Sequence, residues 1–416
     1  MVRRATVWAF LGLLLLGAPA SRAWAESITF VVNANLEDRS AWERIAADYT
    51  GKTGVRVELL IIPWEEYHEK LSTMIASGTA PDILFYSARF IASLAASGAF
   101  ENHQPYAQIM RDGHDVFPAG FDEVTLAGEL YGIPSDLNVS MLAYNADLFA
   151  AAGLVAPPLL WKNGEWTWAA FLDAAKRLTQ DVDGDGRPDQ AGTQGFGTWA
   201  GNWPVWFWAN GADILDAEKR RVVANSPEGI EALTFATDLA LVHAVTGGRW
   251  QDGTTGLWIR GLNNVANYRS QLSYEWDIVP FPIGPSGRVT AATYFGGGYA
   301  ILRDAPNKEA AYAFLDYLTS REVEDLRAQL ASRLPIKRDG VQRFLDREHR
   351  PGLSPANLDL IVEIIAAARP LPITPVWNDM ERIWWEEVRP VMAGQRPANY
   401  ALQQFALRAD PVLASW

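Results

Sequence analysis

Between Ser27 and Tyr86 the chain alternates strand-like and helix-like patterns, and this restricts the fold more than any other feature. Ser27–Asn33 (SITFVVN) is a short β-rich apolar run. Ser40 to Glu43 has capping-box spacing, and Trp42, Ile45, Ala46 and Tyr49 recur on one helical stripe. Gly51 and Gly54 end that helix, and Val55–Ile62 reads as a second strand. Trp64–Ser77 carries Tyr67, Leu71, Met74 and Ile75 on one face, and Ile83–Tyr86 is a third strand. Strand, helix, strand, helix, strand in so short a stretch predicts right-handed crossovers and a parallel sheet. Ligands of such sheets lie beyond the carboxyl ends of the strands. Those ends are Asn33–Asn35, Pro63–Trp64 and Tyr86–Arg89.

The chain has 416 residues, which at about 100–200 residues per domain predicts more than one unit. Arg3 and Arg4 precede the apolar stretch Val7–Ala18, and Ala23-Trp24-Ala25 then offers a small-residue cleavage site. This predicts that residues 1–25 are a secretory signal peptide. Without them, 33 basic residues face 49 acidic ones, a net charge of −16. So acidic a chain lacks the basic footprint of a nucleic-acid binder. With no cysteine there is no disulfide, no thiol chemistry and no lipid-modified Cys, so a periplasmic location without a lipid anchor is expected. Eighteen Trp residues are an unusual number, and Trp8 and Trp24 fall within the leader.

The run Trp199-Ala-Gly-Asn-Trp203-Pro-Val-Trp206-Phe207-Trp208 is the densest aromatic feature. Indole rings stack on the apolar faces of sugars, so two of these four Trp residues are expected at a ligand and two in a core. The alternative is a wholly buried helix face. Asp181, Asp183, Asp185 and Asp189, with Gly186 at a sharp turn, have the look of a calcium loop, but Gly192 stands where the bidentate Glu of an EF-hand belongs. A structural calcium and a plain acidic turn both fit; no cofactor is required. The five His residues form no metal-ligand spacing, and no phosphate-binding loop or nucleophile elbow occurs. Gly296-Gly297-Gly298, after Tyr294, opens a strand where backbone amides approach a ligand or the chain crosses between lobes.

Taken in order, these segments resemble the extracellular solute-binding proteins of sugar ABC importers, the maltose-binding-protein-like group. The resemblance is carried by Ala76-Ser77-Gly78-Thr79-Ala80-Pro81-Asp82-Ile83, by Tyr131-Gly132-Ile133-Pro134 with Tyr144-Asn145-Ala146-Asp147-Leu148-Phe149, by Trp166–Leu172, and by Pro306-Asn307-Lys308-Glu309-Ala310-Ala311. It implies an α/β, two-lobed periplasmic binding protein fold of type II, each lobe a doubly wound sheet flanked by helices, with the ligand in the interlobe cleft. Lobe one would comprise 26–134 plus 296–336, and lobe two 135–295 plus 337–416. By matched position the cleft would hold Asn35, Trp64, Tyr67, Tyr86, Arg89, Asp136, Asn138, Trp199, Trp203, Arg260, Asn263, Tyr294, Gly296, Gly297, Arg369 and Trp377. The sequence departs from the pattern at Leu262-Asn263-Asn264, where many relatives carry Trp, which weakens a maltodextrin assignment.

The implied function is non-enzymatic. A monomeric carrier takes up a carbohydrate (oligosaccharide, monosaccharide or sugar alcohol) and delivers it to an inner-membrane ABC permease. Two alternatives stand beside it. One is a carrier of a phosphorylated polyol such as glycerol 3-phosphate, held by Arg89, Arg260 and Arg369. The other is a secreted glycoside hydrolase, which needs a pair of carboxylates flanking the scissile bond.

Overall fold

In the computed structural model, the structure describes residues 27–33, 36–113, 116–197, 202–262, 265–293, 296–331 and 334–416. The opening alternation forms as expected: β1 Ser27–Asn33, α1 Leu36–Thr53, β2 Arg56–Ile62, α2 Trp64–Ala76, β3 Ile83–Ser87 and α3 Ala88–Ala96. Helix α1 starts upstream of the expected cap, so Ser40 lies inside it. β1 is parallel to both β2 and β3. The sheet is completed by Gly297–Ile301, antiparallel to β3, and then by Ile133–Pro134. The α1 stripe of Trp42, Ile45 and Tyr49 is buried against the sheet, where Trp42 meets Phe30 edge-on at 5.4 Å between centroids.

A second sheet has the order Trp276–Val279, Ser140–Asn145, Thr255–Gly261, Ala191–Thr193. Its first two pairings are antiparallel, and Thr255–Gly261 runs parallel to Ala191–Thr193. This sheet is apolar on both faces, with a period of two. Leu142, Tyr144, Leu257, Ile259 and Val279 join one cluster; Met141, Ala143, Trp258, Trp276 and Ile278 join the other. Helices Trp377–Met392 and Ala398–Ala414 pack onto the first of these faces. Together the two sheets and their helices make the two-lobed type II architecture.

The chain passes between the sheets at three neighbouring places. Ile133–Pro134 belongs to the first sheet and Ser140–Asn145 to the second. Ala291–Thr293 pairs with Ala368–Pro370, and Gly297–Ile301 follows in the first sheet. Leu334–Pro335 pairs antiparallel with Asp136–Leu137. Among the described residues no helix is long and apolar enough to cross a membrane.

The tryptophans are placed otherwise than expected. Helix Trp203–Ala209 is buried on every side, and Trp203, Trp206 and Trp208 all belong to the core of the second lobe. Trp203 is 0% exposed and stacks on Trp384 at 4.2 Å. Trp206 meets Trp168, Phe171 and Phe281 edge-on. Trp377 is likewise buried in that core. The cleft role expected of Trp203 and Trp377 gives way to packing, because no face of either ring is left for a ligand in this conformation.

Candidate functional site at the strand crossings

Tyr86 sits near the end of β3 between two glycines. A Cβ on Gly132 would lie 2.5 Å from its ring, and one on Gly298 would lie 2.3 Å from its hydroxyl oxygen. Only residues without a side chain let the neighbouring strands close over the phenol. Tyr86 is 1% exposed, and its hydroxyl has no hydrogen-bond partner among the described residues. Burial, reinforced by Glu123 and Asp136, holds its pKa well above the usual phenol range. Tyr67 is an anchor rather than part of an open surface: it is buried, and its hydroxyl donates to the Phe85 carbonyl.

Asp136, expected to take ligand hydroxyls, instead braces the first crossing. Its Oδ1 lies 3.2 Å from Arg327 Nη2 and accepts from the Ser135 hydroxyl at 2.7 Å. Arg327 also donates to Ser135 Oγ at 2.7 Å, and its guanidinium lies against the Trp42 and Phe85 rings. The Ser135 amide donates to the Gly297 carbonyl at 2.9 Å, tying the first crossing to the second. A Cβ on Gly297 would stand 2.6 Å from Asp136 Oδ1, which explains the glycine there. A cavity of about 10 Å³ opens between Asp136, Tyr299, Glu324 and Arg327; that is room for about one water.

Gly296 brings in a residue that pattern reading passed over. Its amide donates to Glu123 Oε2 at 2.9 Å. Glu123 is 7% exposed and lines a small cavity with Ile91, Ala92, Ala95, Tyr131 and Ile373. Ile91 and Ala95 pack with the core of the first sheet, and Ala92 and Ile373 with the Leu142 and Leu257 face of the second, so this cavity lies on the seam between the two cores. Glu123 carries no periodic or motif signal. The one local hint is a carboxylate two residues after the buried Phe121 and just before a short hairpin.

The other expected positions scatter. Asn138 is half-buried between Asp136–Leu137 and Ser140–Asn145, and its Oδ1 has no partner among the described residues. Arg260 donates to Gln194 Oε1 at 2.9 Å and lies over the Trp250 ring. Arg369 pairs with Asp213 at 2.6 Å and covers Trp208. Trp64 opens α2 and Arg89 stands in α3, but their side chains lie outside the described structure. Asn35, Trp199, Asn263 and Tyr294 lie outside the described residues. The fold thus brings together Tyr86, Asp136, Gly296 and Gly297 at the crossings, and keeps Trp203 and Trp377 apart from them.

The acidic loop, between helix Trp168–Leu178 and strand Ala191–Thr193, is exposed. Ligand atoms of Asp181, Asp183 and Asp189 lie within 4.8 Å of one another. Asp181 accepts from the Gly184 and Gly186 amides, Asp189 from those of Val182 and Asp183, and Asp185 from that of Arg187. These are the bonds of an acidic turn closed on its own backbone.

Comparison with known proteins agrees with this architecture. A binding protein of Brucella abortus is 22% identical, over 99% of both chains. A maltooligosaccharide ABC transporter solute-binding lipoprotein of Streptococcus pneumoniae is 23% identical, over 92% of this chain and 88% of its own. Among solved structures, the cyclic α-maltosyl-1,6-maltose binding protein of Arthrobacter globiformis superposes with a TM-score of 0.79 at 20% identity, over 94% of this chain and 99% of its own. An ABC substrate-binding protein of Listeria monocytogenes, in complex with cycloalternan, gives 0.77 at 21% identity, over 93% and 99%. Residues 33–325 match the family model described as bacterial extracellular solute-binding protein, and the chain belongs to that family.

Proposed function

We propose that this protein captures a sugar (oligosaccharide, monosaccharide or sugar alcohol) between its two lobes and hands it to an ABC permease of the inner membrane. The observation that carries this reading is the seam: two lobes meet over crossings where Tyr86, Glu123 and Gly296 converge. The named ligands of the relatives and structural neighbours, maltooligosaccharides and cyclic glucans among them, support a carbohydrate. A ligand that touches both lobes favours closure by its higher affinity for the closed form, and needs no covalent step. Residues 1–25 act as the export signal to the periplasm, where the protein works as a monomer. The lobes comprise 26–134 plus 296–336 and 135–295 plus 337–416.

Calorimetric titration against a carbohydrate panel tests this, with chromatography of the same mixtures after long incubation. Saturable one-to-one binding with the sugar recovered intact is the expected result. Release of shorter sugars would instead establish a glycoside hydrolase.

A further inference from the structure

We infer that Arg327 is a positioning residue for ligand capture: it holds the first crossing to the first lobe, so that the lobes turn about Asn138 rather than about Ser135 at the start of the crossing. This rests on the sugar-binding reading above. The first crossing is tied to the second at both ends. Toward the first lobe, the Ser135 amide donates to the Gly297 carbonyl at 2.9 Å. Toward the second, the Ala292 amide donates to Ser140 Oγ at 2.9 Å. Leu137 still belongs to the first tie, because it pairs with Leu334, just after the helix that carries Arg327. Val139 already belongs to the second, because its carbonyl accepts from the Leu262 amide at 2.9 Å. On this crossing Asn138 stands between the two ties, half-buried, with its Oδ1 lacking a partner among the described residues. Domain rotation is absorbed by a few residues at the ends of elements, and here the ties leave that role to Asn138.

One guanidinium carries the side-chain part of the first tie. Arg327 Nη1 donates to Ser135 Oγ at 2.7 Å and Nη2 to Asp136 Oδ1 at 3.2 Å. Tyr299 Oη, on the strand after the second crossing, lies 3.4 Å from Nη1. The guanidinium carbon stands 4.7 Å from the Trp42 ring centroid and 4.9 Å from that of Phe85, two rings of the first lobe's core. A planar fork held against rings fixes its acceptors in direction as well as distance, which a lone charge does not. Without it the crossing reaches more orientations, and the one that fits a ligand becomes a smaller fraction of them. Apparent affinity falls by that fraction. The factor is the same for every ligand, because the fraction is a property of the unliganded protein.

The test compares the wild type with Arg327→Met and with Arg327→Met/Asp136→Asn. The double variant removes the buried charge left behind by the single one, but does not restore the tie, so stability and positioning separate. The chain has no cysteine, so Glu69→Cys and Asp173→Cys, at exposed helix positions one in each lobe, take a pair of spin labels. The distance distribution between the labels in the unliganded protein is expected to broaden in both variants. Calorimetric titration with maltose, maltotriose, glucose and sorbitol is expected to show every sugar that the wild type binds weakened about fivefold or more, by one common factor. Urea denaturation should meanwhile show the double variant recovering part of the lost stability. An unbroadened distribution or an unchanged affinity in the double variant would overturn the inference and leave the sugar reading intact. So would a loss that differs from one sugar to the next, which marks contact with the ligand itself. A wild type that binds no carbohydrate overturns the sugar reading, and the distance distribution then decides on Arg327 by itself. If Arg327→Met does not unfold cooperatively, the double variant is read alone for the same two quantities.

Discussion

Arg327 Nη2 and Asp136 Oδ1 meet at 3.2 Å inside the protein, each side chain no more than 5% exposed, and join helix Arg321–Ala331 to the first crossing. The pair spans 191 residues of sequence. Breaking it by Arg327→Met leaves a buried carboxylate without its partner, which costs about 3–5 kcal/mol. Urea denaturation is expected to show that loss, and the double variant Arg327→Met/Asp136→Asn to recover part of it.

Glu324 has its pKa pushed up to about 7, because burial outweighs Lys337 at 3.2 Å and Arg343. The folded value exceeds the unfolded one, so the folded state holds the extra proton. Its contribution is complete below the unfolded carboxylate value and is lost as pH rises through about 7. In urea denaturation, the stability of the wild type minus that of Glu324→Gln should fall by on the order of 3 kcal/mol as pH rises from 4.5 to 7, while the groups common to both proteins cancel.

His103 works in the opposite direction. Its Nε2 accepts from the Ile301 amide at 2.9 Å, which requires the neutral ring, and burial pushes its pKa down to about 4. A depressed folded value gives stability that is present above the unfolded histidine value and lost as pH falls toward 4. His103→Gln, which still offers an acceptor, is expected to remove about 3 kcal/mol of acid sensitivity over that interval.

Trp203 is a packing residue, fully buried against Trp384 and Phe207. Trp203→Ala is expected to cost about 3–5 kcal/mol by leaving a cavity. Ligand affinity measured on the folded fraction should stay within twofold of wild type. A large affinity loss at unchanged stability would return Trp203 to the cleft.

Local patterns were legible wherever one element satisfies itself. Ser226-Pro227-Glu228 carries the pattern of a helix start, and the Ser226 Oγ accepts from the Gly229 amide at 3.1 Å. The Trp42, Ile45 and Tyr49 stripe is buried as its spacing predicts. The glycine triplet marked a crossing because close backbone approach leaves its trace in the residue type itself. The aromatic run told less, since a ring suited to a sugar is equally suited to a core, and spacing does not distinguish them.

Sequence alone determined the alternation of elements in the opening sheet and marked the glycine triplet, because hydrophobic period and glycine position are properties of neighbouring residues; the two-lobed class was implied by the resemblance of ordered segments to a family. Tertiary structure decided what each polar group faces. Asp136 found Arg327, and Gly296 found Glu123 across 173 residues. Such pairs arise when distant segments are brought together by burial of the core, and their partners carry no local pattern that would announce them.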